Sequence, residues 1–100
     1  MSEAPFANET VVVPSRQASP IDLELEMDAS IARGVYSNVI LVSHSREEFT
    51  LEFAYMQPSN RALVHTRVVV SAGHVRELAN ALLGQLDRRH ERFPSVATSG

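Results

Sequence analysis

Cysteine, tryptophan and lysine are all missing from this chain of 100 residues. Without cysteine there is no disulfide framework and no thiolate zinc site, which fits a reducing compartment. Without lysine, all nine basic residues are arginine, set against twelve acidic ones for a net charge of −3. GC-rich coding explains that usage more simply than a function does. The balance argues against strong, general binding to nucleic acid, which rests on excess positive charge. The apolar runs are short, and none approaches the roughly 20 residues that cross a bilayer. The start, Met1-Ser2-Glu3-Ala4-Pro5, lacks the basic opening and apolar stretch of a secretion signal, so a cytoplasmic location is expected.

What is present is ordinary globular composition, with 44% apolar and 21% charged residues. The length allows one domain. A domain this short hides only about 60% of the surface that its unfolded chain exposes, which makes association attractive.

Residues 1–20 hold Pro5, Pro14 and Pro20 among Ser, Asn, Gln and Glu and read as a disordered tail. Val11, Val12 and Val13 form its one β-branched triplet, long enough to add briefly to a neighbour's sheet edge. A single α+β domain is expected over residues 21–93, with a second disordered tail over 94–100. Leu23, Leu25 and Met27 alternate with Asp22, Glu24, Glu26 and Asp28, the period-two signature of a half-buried strand. Asp28 then caps a short helix over 29–33 that Gly34 stops. Val39-Ile40-Leu41-Val42 is apolar on both faces, the mark of a strand at the centre of a sheet or sandwiched between a helix and another chain.

A polar turn at 45–48 leads to a strand with Phe49, Leu51, Phe53 and Tyr55 on one face and Thr50, Glu52, Ala54 and Met56 on the other. Pro58 sits in the next turn, because it cannot continue a paired strand. Residues 61–70 form the last strand. Strict alternation sets Ala62, Val64, Thr66, Val68 and Val70 against Leu63, His65, Arg67 and Val69. Ser71 caps a long helix whose apolar stripe is Val75, Leu78, Ala79, Leu82, Leu86 and Phe93, widened by Leu83, before Pro94 ends it. The expected fold is a four-stranded, mainly antiparallel sheet in the order β, short α, β, β, β, α. The long C-terminal amphipathic helix packs on one face of it. One helix covers one face only, so the other apolar face is left for a partner, most simply a second copy of the chain.

Chemistry-bearing residues do not assemble into a motif. Ser43 and His44 are neighbours on a strand and point to opposite faces, so they do not make a nucleophile and its base, and there is no Gly-x-Ser-x-Gly elbow. His44, His65, His74 and His90 show no metal-ligand spacing. Glu47 and Glu48 share a turn and are expected to be solvated. Arg67, mid-strand among valines, is placed to pair with Glu52 across two strands, or else to meet an anionic group of a partner. Arg76, Arg88, Arg89 and Arg92 interleave with Glu77, Asp87 and Glu91, as on a solvated helix of mixed charge. No catalytic residue, cofactor or metal is expected. The candidate interface or scaffold residues are Tyr36, Asn38, Ile40, Val42, His44, Leu63, His65, Arg67 and Val69.

Three segments carry a family resemblance: Gly34-Val35-Tyr36-Ser37-Asn38, then Ser43-His44-Ser45-x-x-Glu48-Phe49-x-Leu51-x-Phe53, then Arg67-Val68-x-x-Ser71-x-x-His74. In this order and spacing they resemble a bacterial family of short proteins known only as a domain of unknown function. The likeness covers residues 21–93. Glu52 departs from it, since members commonly carry Asp there, but the charge is kept. The resemblance implies that Gly34, Tyr36, Asn38, His44, Phe49, Phe53 and Arg67 belong to a shared structural or binding scaffold. It brings no activity. A looser likeness, of architecture alone, is to the export chaperone SecB and its relatives, which assemble into tetramers.

The expected function is therefore a non-enzymatic protein-interaction module, a homo-oligomeric adaptor or chaperone-like protein that binds itself and another protein. The alternative is a nucleic-acid-binding oligomer that clusters its helix-end arginines.

Overall fold

The computed structural model describes residues 10–15 and 23–94. The elements run α1 (Ala29–Ala32), β1 (Val39–His44), β2 (Glu48–Met56), β3 (Ala62–Ser71) and α2 (Ala72–Arg92). The three strands form one antiparallel sheet in the order β1-β2-β3. Short polar turns hold it together: Ser45 N–H donates to Glu48 O at 2.8 Å, and Gln57 N–H donates to Arg61 O at 2.9 Å. Asn60 in the second turn adopts φ 71°, a left-handed conformation that Asn tolerates better than other side chains do.

Among the described residues the sheet has three strands, and the expected fourth is not among them. Residues 23–27 join no ladder among the described residues. Alternation of Leu23, Leu25 and Met27 with acids fixes which side chains would share a face, but a strand also needs an edge to pair with. The expected disordered tails fall largely on residues 1–9, 16–22 and 95–100, outside the described residues.

α1 begins after Asp28, whose backbone carbonyl accepts from the amides of Ile31 and Ala32 at 3.0 Å. The Asp28 carboxylate accepts the Ser30 hydroxyl at 2.8 Å instead of capping a backbone amide. Gly34 ends the turn with φ 73°, a conformation that suits a residue without Cβ.

The register of β1 on β2 sets Ile40 opposite Phe53, Val42 opposite Leu51 and His44 opposite Phe49. Phe49 faces Val70, Leu51 faces Val68 and Phe53 faces Thr66 on β3. A bulge lies next in the ladder, where Ala54 pairs with Val64 and Tyr55 with Leu63, so His65 is an extra residue in β3. The extra residue shifts the period-two count. This corrects the strict alternation read from the sequence. Leu63 joins Thr66, Val68 and Val70 on the Phe53 face, whereas Val64 joins Arg67 and Val69 on the opposite one.

α2 follows β3 without a connecting loop. Ser71 ends the strand and caps the helix, its hydroxyl accepting from His74 N–H at 3.3 Å. Ala72 N–H donates to Glu47 O at 2.9 Å, which ties the helix start to the β1–β2 turn. The expected packing of α2 on the sheet is confined to its first turns. Val75 and Leu78 in its first turns are half-buried, but Leu82, Leu83 and Leu86 remain 58%, 60% and 59% exposed. Amphipathic spacing says that a helix has an apolar side and is silent on what covers it. Among the described residues the buried core is Ala54 alone.

Candidate functional site

Two apolar sheet faces and one helix stripe stand uncovered, and the candidate residues divide between them. On the Phe53 face, β1 contributes Ile40, Val42 and His44, and β3 contributes Leu63. The His44 ring lies against Phe49, with centroids 5.5 Å apart. Tyr36, just before β1, meets Tyr55 edge-on with ring centroids 6.1 Å apart. α1 overhangs this face and leaves an open groove of about 300 Å³, walled by Ile31 and Val35 from above and by Phe53, His65 and Thr66 from the sheet. His65 Nδ1 and Thr66 Oγ1 share a hydrogen bond of 2.8 Å.

On the opposite face lie Arg67 and Val69, with Leu41 of β1 and Glu52 of β2. Arg67 Nε donates to Glu52 Oε2 at 2.7 Å, and its Nη2 reaches the same oxygen. The geometry is a cross-strand pair between directly opposite residues, the arrangement that alternating strands allow. Arg67 is 68% exposed and Glu52 20%. The bulge thus divides Leu63 and His65 from Arg67 and Val69, residues that strict alternation grouped together.

Asn38 belongs to neither surface. It closes the open end of β1: its backbone N–H donates to Ala54 O at 3.1 Å, and its Oδ1 accepts from Met56 N–H at 2.7 Å. Ser37 Oγ lies 3.0 Å from both Val39 O and Ala54 O and acts as donor there. Two contacts went unread in the sequence. Ser37 carries no assigned contact in the sequence, although hydroxyls beside strand ends are natural backbone partners. His74 Nε2–H donates to Val13 O at 2.7 Å and holds the valine triplet at the start of α2. No local signal could reveal a bond spanning 61 positions.

The helix-end cations are engaged in part. Arg88 Nε donates to Gln85 Oε1 at 3.4 Å, and the Arg92 guanidinium lies 6.0 Å from the centroid of the Phe93 ring. Among the described residues, no three His, Asp or Glu side chains are grouped so as to hold a metal ion. No described helix is long and apolar enough to cross a membrane.

An antiparallel three-stranded sheet running straight into a long helix, with most of the large apolar side chains of β1 and β3 exposed, describes a small α+β domain. Residues 3–98 match the model of one family, and the chain belongs to it: DUF3467, described as a protein of unknown function. No curated protein and no solved structure matches this chain.

Proposed function

We propose that this chain is the protomer of a homo-oligomeric, non-enzymatic interaction module, adaptor-like or chaperone-like in type, that binds a further protein through apolar surface left open after assembly. The supporting observation is the distribution of exposure. Among the described residues, twenty large apolar side chains are between 38% and 73% exposed, while Ala54 alone is buried.

The magnitude favours an assembly over a lone chain. Fully burying one such side chain is worth roughly 1.5–3 kcal/mol. Covering the exposed half of twenty of them therefore represents on the order of 20 kcal/mol, an upper bound from area alone. A whole domain has a net stability of about 5–15 kcal/mol. A chain that forgoes that much burial gains more from association than from standing alone. Exposed apolar patches on this scale mark interaction surfaces.

A cytoplasmic setting goes with this reading, since a cysteine-free chain needs no oxidising compartment. Nucleic-acid binding by Arg88, Arg89 and Arg92 is the weaker reading, because Asp87 and Glu91 sit among them and the net charge is −3. The test is solution mass by light scattering coupled to gel filtration. A multiple of the chain mass supports the proposal; a monomer throughout an extended dilution series ends it.

A further inference from the structure

The two edges of the sheet differ in how they are protected, and the difference identifies where two copies join. Edge strands of stable monomers carry charges, prolines or bulges that discourage pairing with another chain. β3 has such devices: the extra residue His65 breaks its ladder, Arg67 sits at mid-strand, and Arg61 stands at its entry. β1 has none. Its six residues, Val-Ile-Leu-Val-Ser-His, include no acid, arginine, proline or glycine.

β1 was expected at the centre of a sheet or sandwiched between a helix and another chain because it is apolar on both faces, and among the described residues it lies at an edge. Ile40 and Val42 are 56% and 61% exposed on one face, and Leu41 is 46% exposed on the other. Among the described residues the backbone is open as well. Ser45 N–H points into the sheet toward Glu48 O. Strand alternation then turns Val39, Leu41 and Ser43 inward also, and leaves the amides and carbonyls of Ile40, Val42 and His44 directed outward.

We propose that β1 pairs antiparallel with β1 of a second copy across a two-fold axis, joining two three-stranded sheets into one of six strands. This rests on the homo-oligomer reading above and specifies its contact. Charge favours a second copy at β1 over one at β3. Self-pairing of an uncharged strand opposes no like charges, whereas β3 paired with itself about its middle would set Arg67 against its own copy.

The axis stands perpendicular to the sheet and keeps each face on its own side. Facing residues must then have the same parity, so the axis passes through Leu41 or Val42 for the longest overlap. With the axis at Leu41, Ile40 of each copy faces Val42 of the other on one face and Leu41 meets its own on the opposite face; with the axis at Val42, that residue meets its own and Leu41 faces Ser43. The aligned N–H and C=O groups of Ile40 and Val42 find partners. The pairing covers the β1 third of each sheet face and leaves Val68, Val69 and the α2 stripe for further contacts.

The absence of native cysteine makes the test direct. In antiparallel pairs, facing Cα atoms lie about 4.5–5.5 Å apart, within the roughly 4.4–6.8 Å that a disulfide spans. Leu41→Cys and Val42→Cys are made singly in the full chain, with Val69→Cys on β3 as the comparison. Each is oxidised mildly at low concentration and run on a non-reducing gel. The expected result is conversion of most of the Leu41→Cys or Val42→Cys protein to a disulfide-linked dimer, with Val69→Cys left as single chains.

Light scattering on the wild type separates the two possible failures. If it is oligomeric but neither β1 variant crosslinks, the β1 contact is overturned and the oligomer stands. If it is monomeric, both fall. Val42→Lys gives a second readout through a charge at the proposed axis. A halved solution mass supports the pairing, with folded circular dichroism kept where the halved species is still an assembly and lost where it is a single chain. An unchanged mass contradicts it.

Discussion

Arg67 and Glu52 bond to each other from unequal surroundings, the guanidinium largely in water and the carboxylate largely out of it. The two ends of the pair should therefore respond differently to removal. Arg67→Ala strands an enclosed carboxylate, and an enclosed acceptor without its partner costs about 1–3 kcal/mol. Glu52→Gln leaves a solvated guanidinium and keeps the side-chain volume, so its effect should stay within the roughly 0–1 kcal/mol typical of exposed ion pairs. Urea melts of the two variants compare the losses directly; equal losses would contradict the asymmetry.

Asn38 gives a second prediction at this scale. Its Oδ1 replaces a backbone acceptor for Met56 N–H. Asn38→Ala should lower stability by about 1 kcal/mol and speed exchange of the Met56 amide. Asn38→Asp keeps an oxygen in place and should restore protection. A Met56 amide that exchanges equally in all three proteins would show that the side chain closes nothing.

At the level of elements, the sequence told most where local chemistry determines the outcome. The Phe49-Leu51-Phe53-Tyr55 face of β2 was legible because aromatic and aliphatic residues alternate there with Thr50, Glu52 and Ala54. The cap at Ser71 and the stop at Gly34 were legible because both needs are local: an acceptor for His74 N–H, and a positive φ. The bulge at His65 was not. β3 is apolar on both sides, so slipping the count by one leaves the pattern looking the same. Nor did the alternation over 23–27 reveal whether a strand forms, since a partner edge lies outside any local window.

The caps supply a prediction here. Ser71→Ala should cost about 1 kcal/mol, as loss of an N-cap hydroxyl usually does. Gly34→Ala should cost roughly 1–2 kcal/mol through its left-handed backbone alone, because a Cβ at that position meets nothing within 4 Å. If Gly34→Ala melts like the wild type, α1 does not need that turn.

For the whole molecule, composition could say that a chain of this size gains by associating, but not which surfaces remain uncovered. The sequence anticipated one open sheet face; among the described residues apolar side chains are exposed on both faces and along the later turns of α2, because α2 continues from the end of β3 and Leu82, Leu83 and Leu86 lie beyond its contact with the sheet. The candidate residues Ile40, Val42 and Leu63 were legible as exposed apolar positions on a shared scaffold. Their separation from Arg67 and Val69 was not, since it depends on the bulge. The central claim is that a single copy of this chain is an incomplete folding unit. Sedimentation equilibrium of the wild type, followed from high concentration into dilution, tests this most directly. The account predicts a mass that is a whole-number multiple of one chain, with loss of folded circular dichroism as the assembly dissociates. A folded, cooperatively melting monomer at every concentration would contradict it.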